Sequence, residues 1–182
     1  DDLRQDQLII QMITLMDDVL KKVNLDCRVT PYRVLATSKT DGFVEFVAHS
    51  STLFKILEEN DHNMKTWFHD RSRTTGLDED AIIETFIKSC AGYCVITYLL
   101  AIGDRHYENL MITDDGRFFH IDFGFILGRD PKPYPPPMKL CKEMIEGMGG
   151  SDSDGYVQFR RKCCEVFLHL RGYSKLIVNL FE

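Results

Sequence analysis

Two short polar loops contain the residues of this chain whose types and spacing could do chemistry. The first reads GDRHYEN at residues 103–109, and the second reads HIDFG at residues 120–124. The amide oxygen of Asn109 and the carboxylate of Asp122 are hard ligands of the kind that Mg²⁺ prefers. His106 in the first loop could act as a base toward a hydroxyl group that attacks a phosphate. Together these residue types indicate phosphoryl transfer that depends on a metal ion.

The spacing within the two loops strengthens this interpretation. Asp104 and Asn109 are five residues apart, the same step as between the Asp and the Asn of the protein-kinase pattern H-R-D-L-x-x-x-N. Asp122 opens an Asp-Phe-Gly triplet, which holds Mg²⁺ in kinases. Taken alone, the triplet could be a plain turn, and the Asp-Arg-His sequence could be a surface salt-bridge cluster. In this order, on either side of a hairpin signal, they favour a catalytic site.

A β-hairpin is predicted to hold the two loops side by side. Residues 110–113 and 117–121 have the pattern of short strands, and Asp-Asp-Gly at 114–116 is typical of the turn between them. Residues 80–101, which precede the first loop, are apolar around most of a helix circumference, and this predicts a buried helix. Residues 123–137 are dense in glycine and proline, which predicts a loop.

The rest of the chain is predicted to contain a second hairpin and further helices. The hairpin strands are residues 32–38 and 42–49, joined by a turn at 40–42, and residues 71–78 are predicted as a loop. The further predicted helices span residues 3–23, 50–59, 63–69, 138–147, 156–170 and 174–181.

Composition limits the classes of protein to which the chain could belong. Its 182 residues amount to about one domain, and 44% hydrophobic with 27% charged residues is ordinary for a globular protein. The net charge of −6 argues against nucleic acid as a partner. The most apolar stretch, residues 94–102, is shorter than the ~18 residues of a membrane span, so we expect peripheral membrane contact. The chain starts at an aspartate without a signal peptide, which we interpret as a piece of a longer protein.

A family resemblance sharpens these expectations. The order Asp-Arg-His, rather than His-Arg-Asp, points away from protein kinases. GDRHYENLMI and FFHIDFGFILG resemble the catalytic and activation segments of phosphatidylinositol 3-kinases, and DDLRQDQLIIQM resembles the first helix of their catalytic domain. LGRDPKPYPPPMKL followed by KEMIEGMGG is most similar to the class III, vacuolar-sorting type. The resemblance covers essentially the whole chain.

The resemblance implies a fold and an activity. The fold is α+β and two-lobed like a kinase, with residues 1–48 as the remainder of the small N-lobe and 49–182 as the α-rich C-lobe. The catalytic loop is then 103–109 and the activation segment 122–142. The implied activity transfers the ATP γ-phosphate to the 3-hydroxyl of phosphatidylinositol, giving phosphatidylinositol 3-phosphate for endosomal sorting and autophagy. The family's phosphate-binding hairpin, ATP-pairing lysine and C-terminal membrane helix have no match in this sequence, so we expect this segment alone to be inactive.

The resemblance also implies catalytic roles, one residue at a time. His106 matches the proposed general base on the inositol hydroxyl, and Asp104 matches the aspartate that supports it or shares this role. Arg105 matches an arginine that steadies the loop, although a plain structural ion pair is an equal alternative. Asn109 and Asp122 match the ligands of Mg²⁺ or Mn²⁺.

Two binding sites are implied in the same way. Residues that match the ATP site are Asp6, Tyr32, Glu45, Phe46, Val47, Met111 and Ile121. Asp6 matches the carboxylate that pairs with the ATP-binding lysine, and the backbone of residues 45–47 matches the hinge that hydrogen-bonds adenine. Core packing is the alternative for the apolar members. The residues expected to contact the lipid acceptor are Arg129, Lys132 and Lys139. Asp130 partly offsets the charge of the first two.

Three other interpretations fit parts of the sequence. The nearest is a phosphatidylinositol 4-kinase or a related protein kinase, but the sparse charge and the prolines of residues 129–137 favour an unphosphorylated inositol head group. A catalytically silent scaffold would not need His106 together with Asn109 and Asp122. The proline-rich stretch could also bind an SH3-type domain as a polyproline II helix.

The resemblance finally implies cofactors, partners and a location. The cofactors are ATP and Mg²⁺ or Mn²⁺. The partners are phosphatidylinositol in membranes, a protein-kinase-like regulatory subunit, and coiled-coil subunits of sorting and autophagy complexes, with no nucleic acid. The location is cytoplasmic, at the surface of endosomes, autophagosomes or vacuoles.

Overall fold

The computed structural model describes residues 2–39 and 41–181. The helices in this part of the chain are α1 (Leu3–Lys21), α2 (Leu53–Glu59), α3 (Met64–Thr75), α4 (Glu79–Leu99), α5 (Lys142–Gly147), α6 (Asp154–Arg171) and α7 (Ser174–Asn179). The strands are β1 (Val34–Ala36), β2 (Gly42–Val44), β3 (Ser50–Thr52), β4 (Leu110–Thr113) and β5 (Phe118–His120). Helices combined with two small antiparallel sheets make an α+β fold, which confirms the predicted class.

Helix α1 begins at a cap that the sequence supplies. The Asp2 carboxylate accepts a hydrogen bond of 3.1 Å from the backbone N–H of Arg4, as residues at this position commonly do. Apolar side chains at helical spacing are buried, and the helix packs against β1 and α6. Asp6 lies on this buried face although it carries a carboxyl group. The predicted helix is confirmed and ends at Lys21.

The first sheet is a hairpin of β1 and β2 that is shorter than predicted. The two strands are antiparallel, with Leu35 opposite Phe43. The Arg33 carbonyl still accepts the N–H of Glu45, but the Arg33 N–H donates to the Glu45 carboxylate, at 2.8 Å. A side chain thus replaces the backbone acceptor, and the regular ladder ends there. The predicted turn includes Thr40, which lies outside the described residues.

The second sheet contains the predicted hairpin and one strand that was not predicted. β4 and β5 pair with Leu110 opposite His120, and β3 adds to the free edge of β4. Residues 50–52 were expected to begin a helix, and that prediction is wrong. Helix α2 starts one residue after Thr52, whose side chain accepts the N–H of Lys55. Serine and threonine compete with helical hydrogen bonds through their own hydroxyls, so this stretch forms a strand and a cap.

Helix α3 is longer than predicted. The sequence favoured a helix over residues 63–69 and a loop over 71–78, whereas the helix continues to Thr75. Its last turns are polar and largely exposed. They therefore lack the apolar period from which a helix is predicted. Gly76 ends the helix in a left-handed conformation, with φ 73° and its N–H donating to Ser72.

Helix α4 is the central core element. It packs against α6, α3 and β5. The hydroxyl of Ser89 accepts the backbone N–H of Phe118 at 2.9 Å, which fixes the start of β5 on the helix. The ring of Tyr93 stacks on His120 at the other end of β5, with centroids 5.3 Å apart and planes 7° from parallel. The hairpin is therefore held on α4 at both ends of one strand.

Length and composition alone would let α4 span a membrane. In the described part of the chain, 67% of its apolar window is buried inside the fold. Core helices pass the same test, so this property is weak support for a membrane span.

The region after β5 follows the predicted order of elements. Residues 123–137 contain no helix or strand, as predicted. Helix α5 starts at Lys142 instead of residue 138, because the preceding residues lie against α4 and the first polar loop. Among these contacts, the Cys94 thiol donates weakly to the Lys139 carbonyl at 3.5 Å. Helices α6 and α7 confirm their predictions to within two residues at each end.

Gly116 in the β4–β5 turn gives a stability prediction. Its φ is +89°, and an added Cβ would lie 2.3 Å from the Ile82 carbonyl oxygen. Left-handed backbone costs about 1–2 kcal/mol for other residues, and the clash adds to this in Gly116→Ala. Gly128→Ala is the matched control, because φ is +84° with nothing within 4 Å of its Cβ. We expect the first variant to lower the melting temperature of the full-length protein clearly more than the second. Equal shifts would contradict a role for the Ile82 contact.

Candidate active site

An apolar cleft of about 560 Å³ lies between α1, the first hairpin and the second sheet. Its lining includes every residue that the resemblance assigned to ATP, together with Asp122: Asp6, Tyr32, Glu45, Phe46, Val47, Met111, Ile121 and Asp122. The chain brings these positions together from five separate stretches of sequence: 6, 32, 45–47, 111 and 121–122. They therefore form one site in space, while their contact with ATP stays a prediction.

Five lining residues of the apolar cleft were missed by sequence reasoning: Leu3, Val44, Ser50, Thr52 and Phe119. Two of these follow from the register of the second sheet, in which Thr52 and Phe119 both lie opposite Met111. Because β3 was not predicted, Ser50 and Thr52 could not be placed. Leu3 had a usable signal, since it precedes Asp6 by three residues and shares its helix face.

The Asp6 carboxyl group connects α1 to the second polar loop. Its Oδ1 accepts the backbone N–H of Phe123 at 3.0 Å. Burial raises the pKa of Asp6 above its usual value, and the charge of Asp122 adds to this, while the hydrogen bond from Phe123 works in the opposite direction. A buried carboxyl group in this state would be stabilised as an anion by a nearby cation.

The two proposed metal ligands stand at the ends of the β4–β5 hairpin. The Ile121 N–H donates to the Asn109 carbonyl at 3.1 Å, so the start of β4 and the end of β5 are held side by side. The Asn109 amide nitrogen donates to the Asp104 carbonyl at 3.0 Å, which turns the amide oxygen away from that carbonyl. The exposed Asp122 carboxylate borders the apolar cleft. Two hard oxygen donors fit a Mg²⁺ or Mn²⁺ ion that nucleotide phosphates also coordinate.

This donor set is incomplete without a nucleotide. Within residues 2–39 and 41–181, no three His, Cys, Asp or Glu side chains lie close enough to hold a metal ion.

Asp104 and Asp122 both have left-handed backbone, with φ of 52° and 59°. Aspartate is among the few residues other than glycine that adopt this conformation readily. Such angles often occur at functional sites.

Arg105 joins the two polar loops through backbone carbonyl groups. Its guanidinium donates to the carbonyls of Gly103 at 2.7 Å and Ile121 at 2.7 Å, and also to that of Asp122. It lies 5.7 Å from the centroid of the Phe123 ring. Burial lowers the pKa of Arg105 from its usual value, partly opposed by nearby carboxylates, but arginine stays charged in proteins. These contacts describe an arginine that steadies the loop through carbonyls, instead of an ion pair.

His106 opens onto a second depression, the basic hollow, which has a volume of about 380 Å³. The residues that line the basic hollow are Phe54, Arg105, His106, Tyr107, Glu108, Lys132 and Lys139. The His106 side chain is exposed, with Nε2 at 3.9 Å from Asp104 Oδ2 and Nδ1 at 4.0 Å from Glu108 Oε2. Both distances exceed a direct hydrogen bond, so neither carboxylate holds the ring by such a bond.

The predicted acceptor residues are only partly brought together. Lys132 and Lys139 line the basic hollow with His106, whereas Arg129 does not line it in the described structure. The Asp130 carboxylate was interpreted as an offsetting charge, but it has specific partners. It accepts the backbone N–H groups of Asp104 and Lys132, each at 2.8 Å.

Gly103 allows residues 129–130 to lie close to the start of the first polar loop. A Cβ at this position would lie 2.3 Å from the Arg129 carbonyl oxygen and 2.7 Å from the Asp130 carboxylate. The absence of a side chain at Gly103 therefore lets residues 129–130 pack against the loop at residues 103–109. The spacing of 26 residues between Asp104 and Asp130 gave no local signal of their contact.

Small sheets packed beside helices, with Asn109 and Asp122 at one end of a hairpin and His106 in a neighbouring depression, are features of a kinase-like protein. The family described as "Phosphatidylinositol 3- and 4-kinase" matches residues 1–182, and the chain belongs to this family. The family match also confirms the kinase-like fold that the sequence resemblance implied.

The similar proteins are named phosphatidylinositol 3-kinases. The chain is 55% identical to "Phosphatidylinositol 3-kinase VPS34" of Arabidopsis thaliana and 55% identical to "Phosphatidylinositol 3-kinase, root isoform" of Glycine max, covering 100% of this chain and 22% of each relative. It is 49% identical to "Phosphatidylinositol 3-kinase VPS34" of Saccharomyces cerevisiae, covering 100% of this chain and 21% of that protein. The chain thus spans about a fifth of the length of the curated relatives it matches. The predicted resemblance to class III enzymes is confirmed.

The contact between Asp130 and the catalytic loop can be tested by hydrogen exchange in the full-length protein. A hydrogen bond to a charged acceptor contributes about 1.5–3 kcal/mol, so Asp130→Ala should speed exchange of the Asp104 amide roughly 10- to 100-fold. Asp130→Asn is the control, because one oxygen remains to accept one of the two N–H groups, and its effect should be smaller. Unchanged exchange in Asp130→Ala would show that the contact does not restrain the loop.

Proposed function

We propose that this chain is the main catalytic segment of a class III phosphatidylinositol 3-kinase. The reaction transfers the γ-phosphate of ATP to the 3-hydroxyl of phosphatidylinositol and gives phosphatidylinositol 3-phosphate. One observation carries the proposal: the loop with His106 lines the basic hollow, and its Arg105 donates to the carbonyls of Ile121 and Asp122, which line the apolar cleft. A nucleotide on one side and an anionic acceptor on the other would meet at this loop.

The nucleotide is proposed to occupy the apolar cleft. Adenine would lie between Met111 and Ile121 on one side and the chain at 45–47 on the other, where backbone groups can hydrogen-bond its edge. Tyr32 closes the back of the cleft, and burial keeps its hydroxyl neutral by raising its pKa. Asp6 would pair with a lysine of the full-length enzyme, which would offset the buried negative charge.

The metal would be held by Asn109 and Asp122 together with phosphate oxygens. Mg²⁺ or Mn²⁺ bound there neutralises charge on the transferred phosphate, which is the chemistry that it supplies in kinases. The chain's own part is to fix both ligands on one hairpin, so that they are in place before the nucleotide binds.

Proton transfer is assigned to the basic hollow. His106 would accept the proton of the inositol 3-hydroxyl, and Asp104 would orient the ring and stabilise its charged form. Lys132 and Lys139 would face the lipid phosphate from the same hollow. Arg129, which does not line it, is proposed to contact the acceptor from the exposed activation segment.

The organisation around the site belongs to the same proposal. Residues 1–48 would be the remainder of the N-lobe and 49–182 the C-lobe, with the activation segment at 122–142. We propose peripheral contact with endosome, autophagosome or vacuole membranes. Regulatory partners would be a protein-kinase-like subunit and coiled-coil sorting or autophagy subunits. Similarity to phosphatidylinositol 3-kinases named VPS34 supports this assignment.

Replacing His106 tests the proposed base. In the full-length enzyme, His106→Ala should lower lipid phosphorylation by about 10²–10⁴-fold, the typical contribution of a general base, while ATP binding is retained. His69→Ala is the matched control, because this exposed histidine pairs with Glu79 away from both depressions. Turnover above about a tenth of the wild-type rate in His106→Ala would rule out an essential base.

Acceptor choice tests the proposed substrate. We expect strong discrimination against phosphatidylinositol 4,5-bisphosphate, since each added phosphate brings charge and oxygens that need donors. In the described basic hollow, Lys132 and Lys139 are the lysines that could donate to an added phosphate. Arg105 also lines the hollow, but its guanidinium already donates to backbone carbonyls. Rates on the two lipids should be compared side by side, with the phosphorylated position identified in the product. Comparable rates would contradict the class III assignment, and a product phosphorylated at the 4-position would contradict the 3-kinase assignment.

A further inference from the structure

Tyr107 lies between His106 and Glu108 in the catalytic loop, and nothing in the sequence motif gave it a role. It starts the 3-10 turn Tyr107–Asn109, which leads directly into β4. Its side chain is half-buried and lines the basic hollow. The same loop that presents His106 thus also presents an aromatic ring to the proposed acceptor.

Two contacts connect this ring to the end of the activation segment. The Tyr107 hydroxyl donates to Glu143 Oε2 at 2.9 Å, in the first turn of α5. The Lys139 ammonium lies over the ring, 4.6 Å from its centroid. Burial raises the pKa of Tyr107 above its usual value, with Glu143 adding to the rise, so the hydroxyl stays a neutral donor.

The Tyr107 ring contacts the Lys139 ammonium without neutralising its charge. Within the described chain, no carboxylate lies within 4.0 Å of its ammonium, so the aromatic face is the partner that positions it. A carboxylate would restrain the lysine equally well but would neutralise it. An aromatic face attracts a cation through its quadrupole and adds no net charge. Lys139 can therefore be ordered beside His106 and still attract a phosphate.

Ordering a lysine in advance has a clear benefit for binding. Its long side chain loses conformational freedom when it contacts a ligand, and this loss weakens binding. A lysine already held over the Tyr107 ring has lost part of this freedom before the substrate arrives. The Glu143 hydrogen bond fixes the ring, and the ring fixes the lysine.

We propose that Tyr107 is a positioning residue that holds Lys139 in the basic hollow to bind a phosphate of the substrate. The inference rests on the proposed function. Two phosphates could use this charge, the phosphodiester of the lipid acceptor and the γ-phosphate of ATP. The place of Lys139 in the hollow with His106, outside the apolar cleft, favours the lipid phosphodiester.

The test is steady-state kinetics of the full-length enzyme with phosphatidylinositol vesicles and ATP varied separately. A cation–π contact is worth about 0.5–2 kcal/mol, so Tyr107→Leu should raise the KM for lipid about 2- to 30-fold. The kcat and the KM for ATP should change much less. Tyr107→Phe keeps the ring and should restore most of the affinity for lipid. Tyr98→Leu, an exposed tyrosine of α4, is the matched control.

A double-mutant cycle separates positioning from a general structural role. In a Lys139→Met background, Tyr107→Leu should cause no further rise in the KM for lipid, because the residue that the ring positions is gone. An equal rise in both backgrounds would overturn the proposal. So would a larger effect on the KM for ATP, which would assign Lys139 to the γ-phosphate.

A substitution that keeps the shape covers the case in which Tyr107→Leu does not fold. Tetrafluorophenylalanine at position 107 retains the ring but removes its negative face. It should raise the KM for lipid relative to Tyr107→Phe, and equal KM values would overturn the proposal. These outcomes differ from failure of the proposed function, in which the wild-type enzyme itself would not phosphorylate phosphatidylinositol.

Discussion

The site depends on the hydrogen bonds that the buried guanidinium of Arg105 donates to backbone carbonyls. It joins the backbone of the catalytic loop at Gly103 to the backbone that surrounds Asp122. Taking an unpaired charge out of water is expensive, but three charge-assisted hydrogen bonds offset that cost. The hydrogen bonds of Arg105 go to these carbonyl groups, while its positive charge also lies close to the carboxylates of Asp104 and Asp122.

An aromatic series beneath the hairpin supports this arrangement. Edge-to-face contacts run from Trp67 and Phe68 in α3 through Phe86 in α4 to Phe118 in β5. His120 ends the series, in contact with Phe118 and stacked on Tyr93. Burial lowers the pKa of His120 well below its usual value, with the charge of Arg105 adding to the shift, so the ring packs as a neutral aromatic group. Offset and edge-to-face ring pairs have preferred geometries, which makes this a rigid base for the end of the hairpin that carries Asn109 and Asp122.

The two depressions of this site, the apolar cleft and the basic hollow, differ in chemical character. The apolar cleft suits a planar base, while the basic hollow concentrates positive charge in a protein whose net charge is −6. Local charge, and not the overall balance, therefore decides what each depression can bind. Asp130 contributes through geometry, because its carboxylate accepts two backbone N–H groups and connects residues 130–132 to the loop at residues 103–109.

The sequence by itself determined the features that are local along the chain. Apolar period predicted α1, and apolar residues around most of a helix circumference predicted α4. The Asp-Asp-Gly turn predicted the hairpin of β4 and β5, and the resemblance to the family named the cleft residues. The tertiary structure decided what depends on distant partners. Strand β3 exists because β4 offers an unpaired edge, about sixty residues further along the chain. Asp130 and Tyr107 make hydrogen bonds to partners 26 and 36 residues away along the chain. Hydrogen bonds between segments depend on how helices and strands pack, and no pattern within a short window records that packing.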